Sequence, residues 1–295
     1  MANFEDHSLT GHGHDFKTII IDLYEIGGEE GSGFHVFNTT PNHYHRTEVL
    51  QRTGAIDVSC KLEKVVHGAL SPDSDRYASL IVMQWFMQPK SSRRISEATI
   101  KLLFEPSSAE GDIEVEEISF HDTYSIMPTH QEETLNKGLK ATVGIQQFAN
   151  LNFTTKWNKS TISTLSNAIT LSGAMRVIDN RPPNRIATWS LSENPSQPLG
   201  IPASLKVAVL VSRQDQEKFM CRVDFTCRAD LRTALQGCFK KIPKDDPIIL
   251  QPDPRDKGAG LNKGVTYGND ELGSVSLNDH CSVTFRRVLP SGEEA

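Results

Sequence analysis

The sequence has no apolar run approaching the ~20 residues that a helix needs to cross a bilayer. Its longest apolar stretches, such as Ile19-Ile20-Ile21 and Val207–Val211, fall far short. The opening residues, MANFEDHSLTGHGHDF, lack a basic segment followed by an apolar one, so they do not read as a secretory signal. The closing PSGEEA carries no lipidation motif. The expectation is a cytoplasmic protein with no transmembrane segment. Positive charge is not in excess either: 31 Lys+Arg stand against 37 Asp+Glu, a formal charge of −6. Nucleic-acid phosphates would find no basic face, and pairs such as Arg93-Arg94, Lys240-Lys241 and Arg286-Arg287 are too short to make one. Cysteines are few, odd in number and scattered, at Cys60, Cys221, Cys227, Cys238 and Cys281. Free thiols in a reducing compartment are the simplest reading. The sequons at Asn38, Asn152 and Asn158 need the secretory route and so carry no weight.

Reaction signatures are missing as well. There is no Gly-x-Ser-x-Gly, no cysteine in a nucleophile signature and no glycine-rich phosphate loop. The segment Gly27-Gly28-Glu29-Glu30-Gly31-Ser32-Gly33 is rich in glycine, but its two acids would repel phosphate, and it reads as a hairpin tip. No cofactor is expected.

What is present is a period of two. In Ala55–Val66, Ile56, Val58, Cys60 and Leu62 alternate with Asp57, Ser59, Lys61 and Glu63, the mark of a half-buried strand. Tyr77–Met87 is more continuously apolar and reads as a central strand. Phe16–Ile26, Arg94–Phe104, Ile113–Phe120, Ile186–Leu191, Leu205–Ser212, Phe219–Arg228 and Cys281–Val288 complete the strand-like segments, with turn clusters such as Ser107–Asp112 between them. One helix is expected at 230–240. There Leu231, Ala234, Leu235, Cys238 and Phe239 share a face, Asp230 stands at the N-cap, and Lys240 and Lys241 follow at the C-terminal end.

The expected fold is all-β, as two packed antiparallel β-sandwich-like halves with one short helix. A flexible N-terminus over 1–15 precedes an N-terminal sandwich over 16–130. A C-terminal sandwich over 131–290 follows, with a largely irregular segment at 243–270.

The order Trp189, Leu191, Glu193-Asn194, Gln197, Gly200-Ile201-Pro202 and then an apolar strand ending in Arg213 resembles a pattern in a family of uncharacterised proteins of filamentous fungi. Arg93-Arg94 ahead of Ala98-Thr99-Ile100, Pro128-Thr129 and Asp245-Asp246-Pro247 resemble it too. The likeness covers most of residues 50–255 and leaves the first fifty outside it. It implies an intracellular fungal protein and no particular activity.

Candidate chemistry is sparse. Six of the ten histidines come early, and His12-Gly13-His14 and His43-Tyr44-His45 are both His-x-His. On a strand such a pair shares a face and suits a metal, and Glu48 follows the second pair. Their Gly-, Asn- and Pro-flanked settings read instead as loops with solvent-exposed histidines, so no metal site is assigned. Cys221 and Cys227 share a strand face with apolar neighbours and read as core thiols.

The loop Glu193–Pro202 is a better candidate. Polar groups between two strands gather at the end of a sandwich, where binding loops lie. Glu193 is the candidate general acid or base. Asn194 and Gln197 would orient a substrate, and Trp157 or Trp189 would wall its apolar part. The competing reading makes Trp189 core, Glu193 a turn residue and Asn194 a turn cap. The Thr/Ser/Asn-rich Leu139–Ile178 contains no proline and invites comparison with membrane β-hairpins, but Gln146-Gln147, Thr154-Thr155 and Lys159-Ser160-Thr161 break its alternation, and two ordinary strands joined by a turn near Asn158-Lys159-Ser160 are the default.

Three functions follow. One is a non-catalytic binding or interaction module with a protein partner. Another is a cofactor-free isomerase or cyclase acting on a small apolar ligand. The third is a membrane-acting, pore-forming β protein.

Overall fold

A computed structural model describes residues 36–38, 44–53, 56–89, 94–108, 111–126, 168–229, 245–254 and 263–285. The helix expected at 230–240, Trp157, Phe16–Ile26 and the histidines before Tyr44 lie outside these residues. So does most of the Thr/Ser/Asn-rich stretch.

The described chain is all-β. Six strands precede residue 130: β1 (Glu48–Arg52), β2 (Ile56–Ala69), β3 (Tyr77–Pro89), β4 (Ile95–Pro106), β5 (Ile113–Ile118) and β6 (Asp122–Ile126). Seven follow: β7 (Ile169–Ile178), β8 (Arg181–Ser192), β9 (Ser204–Arg213), β10 (Phe219–Ala229), β11 (Ile248–Leu250), β12 (Val265–Asn269) and β13 (Ser282–Thr284). Two short 3-10 turns, Leu272–Ser274 and Leu277–His280, stand between the last two strands, and no α-helix occurs among the described residues.

The strands form two packed sheets. The first has seven strands, in the order β1-β2-β3-β9-β13, with β12 also on β2 and β5 also on β9. The second has six, in the order β11-β10-β4-β8-β7-β6. Pairing is antiparallel except for β12, which runs parallel to β2. The two layers are not the two halves of the chain. Each sheet joins strands from before and after residue 130, as where β3 pairs with β9 and β4 with both β8 and β10. The segment 243–270, expected to be largely irregular, contributes β11 and β12. Strands this short offer too few residues for a period of two to register.

Alternation explains the layering. In β3, Ile81, Met83, Trp85 and Met87 point into the core between the sheets, with Val207, Val209 and Val211 of β9 beside them. Leu80 and Val82 of β3, with Ala208 and Leu210 of β9, point the other way. Leu272 and Leu277 from the two 3-10 turns cover that outer face as a second, smaller core. This is why the two central strands carry nearly unbroken apolar runs: both of their faces are buried. The outer cover also sets the geometry of the surface around it.

Candidate functional site

The loop after β8 holds the residues that the sequence marks out. Glu193 donates its backbone N–H to the carbonyl of Ser96 at 2.8 Å, and Ile201 donates to that of Ile95 at 3.0 Å. Both ends of the loop are therefore pinned to the start of β4. One carboxylate oxygen of Glu193 accepts the Gly200 N–H at 3.0 Å and lies 3.0 Å from Arg94 Nε. Gly200 has φ +93°, a backbone region that side chains disfavour, which suits glycine to this corner. Burial pushes the Glu193 carboxyl above its ordinary value, while Arg94 and the Gly200 N–H draw it back. Asn194 is buried, and its side-chain oxygen accepts N–H groups from Ser196 at 2.9 Å and Gln197 at 3.3 Å, an Asx turn. Gln197 is exposed. Trp189 is fully buried and donates its indole N–H to the carbonyl of Ser119 at 2.8 Å.

The structure thus brings Glu193, Asn194 and Gln197 into one corner and places Trp189 in the core of the sandwich. In this arrangement Trp189 offers no surface to a ligand. The Glu193 carboxylate and the Asn194 amide oxygen are bonded within their own loop.

His45 departs from the expectation of an exposed loop histidine. Only 1% of it is exposed, and it contacts His67, a residue that no sequence pattern singled out. Among the described residues, no group of three or more His, Cys, Asp or Glu side chains is placed to hold a metal ion.

A cleft opens elsewhere, at the edge of the outer cover. Its volume is about 750 Å³, and Leu70 and Pro72 give it apolar lining, with the buried Leu210 beside them. Glu116, Glu117 and Glu271 give it three carboxylates, and Ser71 and Ser274 add hydroxyls. Two local features build it. A β-bulge between Val115 and Glu117 inserts an extra residue where β5 pairs with β9. Neighbours that would face opposite ways on a regular strand, Glu116 and Glu117, therefore both line the cleft. On the far wall, the Gly273 N–H donates to the Leu70 carbonyl at 2.7 Å, which fixes the 3-10 turn against the end of β2.

Glu116 is held from below. It accepts the hydroxyl proton of the fully buried Ser212, whose oxygen takes N–H groups from Arg76 at 3.0 and 2.6 Å. Arg76 is anchored in turn by Asp112 at 2.8 Å. Glu117 and Glu271 are exposed. Sequence reading missed this site because its residues come from four separated segments, and the only local signal is the Glu114-Val115-Glu116-Glu117 break in alternation. No protein-family model and no curated protein matches the chain.

Proposed function

We propose that this chain is a non-catalytic interaction module that binds a cationic, partly apolar segment of a protein partner in the cleft between β5 and the 3-10 turn at Leu272. The observation that carries this reading is the pairing of an apolar patch, Leu70 and Pro72, with three carboxylates on a single open surface. A lysine or arginine side chain suits such a surface, because its methylene stem covers apolar atoms while its head meets the carboxylates. Exposed carboxylates steer and select a partner more than they hold it, so apolar contact with Leu70 and Pro72 would add to the affinity.

Two further observations support a module over an enzyme. Glu116, the best-fixed carboxylate of the cleft, accepts from Ser212 and lies 3.9 Å from Arg76, so its position is set by structural partners. The polar groups of the Glu193 loop bond within that loop and onto Arg94. The four described cysteines are free thiols, which supports action in a reducing compartment, and the sequence pattern supports a fungal setting.

The test is fluorescence anisotropy with short labelled peptides of alternating Leu and Lys, against matched peptides of Leu and Glu. The Leu/Lys peptides should bind, weaken with added salt, and lose roughly tenfold in affinity to the Glu117→Lys, Glu271→Lys double variant, a loss of ~1.4 kcal/mol. Equal binding of both peptide classes, or unchanged affinity in the double variant, would remove the cleft from this role.

A further inference from the structure

A chain of buried polar side chains runs from the edge of the six-stranded sheet into the seven-stranded one. The Nε2 atoms of His45 and His67 lie 3.0 Å apart, and both rings are buried. His67 Nδ1 lies 2.7 Å from Ser79 Oγ, which accepts an N–H from Arg213 Nη2 at 2.9 Å. The backbone N–H of Gln251 points at His45 Nε2 from 3.1 Å.

That last contact fixes every proton in the chain. An amide N–H can only donate, so His45 Nε2 carries a lone pair and the His45 proton sits on Nδ1. His67 Nε2 faces the same lone pair and must donate, so His67 is the Nε2–H tautomer. Its Nδ1 therefore accepts, and the Ser79 hydroxyl donates to it while accepting from Arg213. The direction runs from Arg213 through Ser79 and His67 to His45, where it meets the Gln251 N–H. Both histidines are neutral in this arrangement.

An extra proton disturbs it, most of all at His45. On His45 it would sit at Nε2, facing two donors, and both bonds would be lost. On His67 it would sit at Nδ1 and turn the Ser79 hydroxyl from donor to acceptor, placing a second cation on the oxygen that already receives the Arg213 guanidinium. The groups named around the pair come from four strands. The Arg213 guanidinium comes from β9, the Ser79 hydroxyl from β3, the Phe219 ring from β10 and the Tyr267 ring from β12. Arg46, next along the chain from His45, turns its guanidinium to the carbonyls of Asp246 and Pro247. Burial lowers both imidazoles, His45 to about 4 and His67 well below its ordinary value, with His45 and Arg213 adding to the second shift.

What His45 helps to hold is a short element at the sheet edge, whose Ile248 and Leu250 are also buried in the core and whose neighbour Asp245 pairs with Arg52 at 2.6 Å. The strand β11 has three residues, pairs among the described residues with β10 alone along its sheet, and is bridged to Tyr44 through Ile249. His45 itself has φ +48° and donates its backbone N–H to the Ile249 carbonyl at 2.8 Å.

We propose that the His45–His67 contact is an acid-operated latch: neutral, it fastens residues 44–47 and 248–251 to the sandwich, and protonation releases that edge while the central strands stay folded. An edge released in this way exposes the backbone donors and acceptors of β10 over Phe219–Cys221, a short site for pairing with another strand.

The test is hydrogen exchange of the full chain, read by mass spectrometry and corrected for the intrinsic pH dependence of exchange. The peptide over 245–251 is compared with β3 as internal reference. If the released His45 regains its ordinary value of 6.5 from about 4, opening of the edge should be roughly twentyfold more frequent at pH 5 than at pH 7, with β3 unchanged. The His45→Asn, His67→Gln double variant removes both titrating groups, and asparagine tolerates the left-handed backbone at position 45. Its edge should exchange equally at both pH values. Should that variant fail to fold, an NMR titration of the wild-type imidazoles decides instead, and both should stay neutral until the edge amides lose protection. An edge that exchanges alike at both pH values in the wild type would overturn the latch. So would an equal acid response in the double variant, or an imidazole that titrates near 6.5 with the edge still protected.

Discussion

Trp189 and Ser119 join the two sheets through one hydrogen bond, from the indole N–H to the Ser119 carbonyl at 2.8 Å. Ser119 stands between β5 of the seven-stranded sheet and β6 of the six-stranded one, where the chain crosses over. Its backbone N–H donates to the Ala208 carbonyl at 2.9 Å, and its hydroxyl accepts the Ala208 N–H at 2.9 Å. The crossover is therefore hooked onto β9 on one side and onto β8 on the other. Trp189→Phe removes the bond, leaves a buried carbonyl short of a donor and opens space, at an expected cost of about 2–4 kcal/mol. Urea unfolding should show a lower midpoint with little change in slope, and an unchanged midpoint would show that the bond contributes nothing.

Gly173 of β7 lies under the same crossover. A methyl group at this position would come within 2.3 Å of the Phe120 carbonyl oxygen and 3.2 Å of the Trp189 ring. Neither a backbone carbonyl nor a fully buried indole yields readily. Gly173→Ala is expected to cost ~2–3 kcal/mol despite adding a single carbon. The same substitution at exposed Gly268 meets no atom within 4 Å, though its φ of +80° brings backbone strain of its own, about 1–2 kcal/mol. Comparing the melting temperatures of the two variants separates crowding from conformational strain.

Stability should fall in mild acid ahead of general carboxylate protonation. The sign follows from the buried histidines. Both fold with lowered values, so the unfolded chain binds protons first, and stability is lost as pH drops below about 6.5. For His45, with a folded value of about 4, the loss between pH 7 and pH 5 is about 2 kcal/mol. Lower pH adds to it until the folded form itself titrates. Urea midpoints measured from pH 7.5 to 4.5 check this, and His45→Asn should flatten the upper part of the curve.

How much of this was legible in the sequence depends on how far each signal extends along the chain. The strands β2, β3, β9 and β10 could be read directly, because ten or more residues of alternation or unbroken apolarity leave little choice of structure. The partners of those strands could not. The pairing of β3 with β9 joins residues well over a hundred positions apart, and no local pattern encodes which apolar strand lies beside which. The all-β class and two packed antiparallel layers follow from the alternation, while the assignment of strands to each layer is visible only in the folded chain. The second core was hidden for a related reason. Leu272 and Leu277 sit in a polar, glycine-containing segment that reads as loop, and only the outward faces of β3 and β9 give them a place to bury. His45 read as exposed from its flanking residues, and its burial depends on His67 and Gln251, both distant in sequence. The cleft draws on Leu70, the β5 bulge, Leu210 and Glu271, so only the folded chain assembles it.

The corner at 193–200 offers a prediction in which neighbouring substitutions should part company. Asn194 accepts two backbone N–H groups through its side-chain oxygen and is 3% exposed, so the loop depends on that acceptor. Asn194→Ala leaves both donors to find water from a buried position and should cost about 1–2 kcal/mol. Asn194→Asp keeps the acceptor and should recover most of the loss at neutral pH. Gln197, by contrast, takes part through its backbone N–H, which every residue except proline retains, and its exposed side chain can be truncated within ~0.5 kcal/mol. Glu193→Gln keeps an oxygen for the Gly200 N–H and gives up only the ion pair to Arg94, a side chain 40% exposed, so its cost should stay below ~1 kcal/mol. Thermal melts of the four variants order them as Asn194→Ala well below the rest. A large loss from Glu193→Gln or Gln197→Ala would mean that these side chains serve something other than the corner, and would return them to consideration as ligand-binding groups.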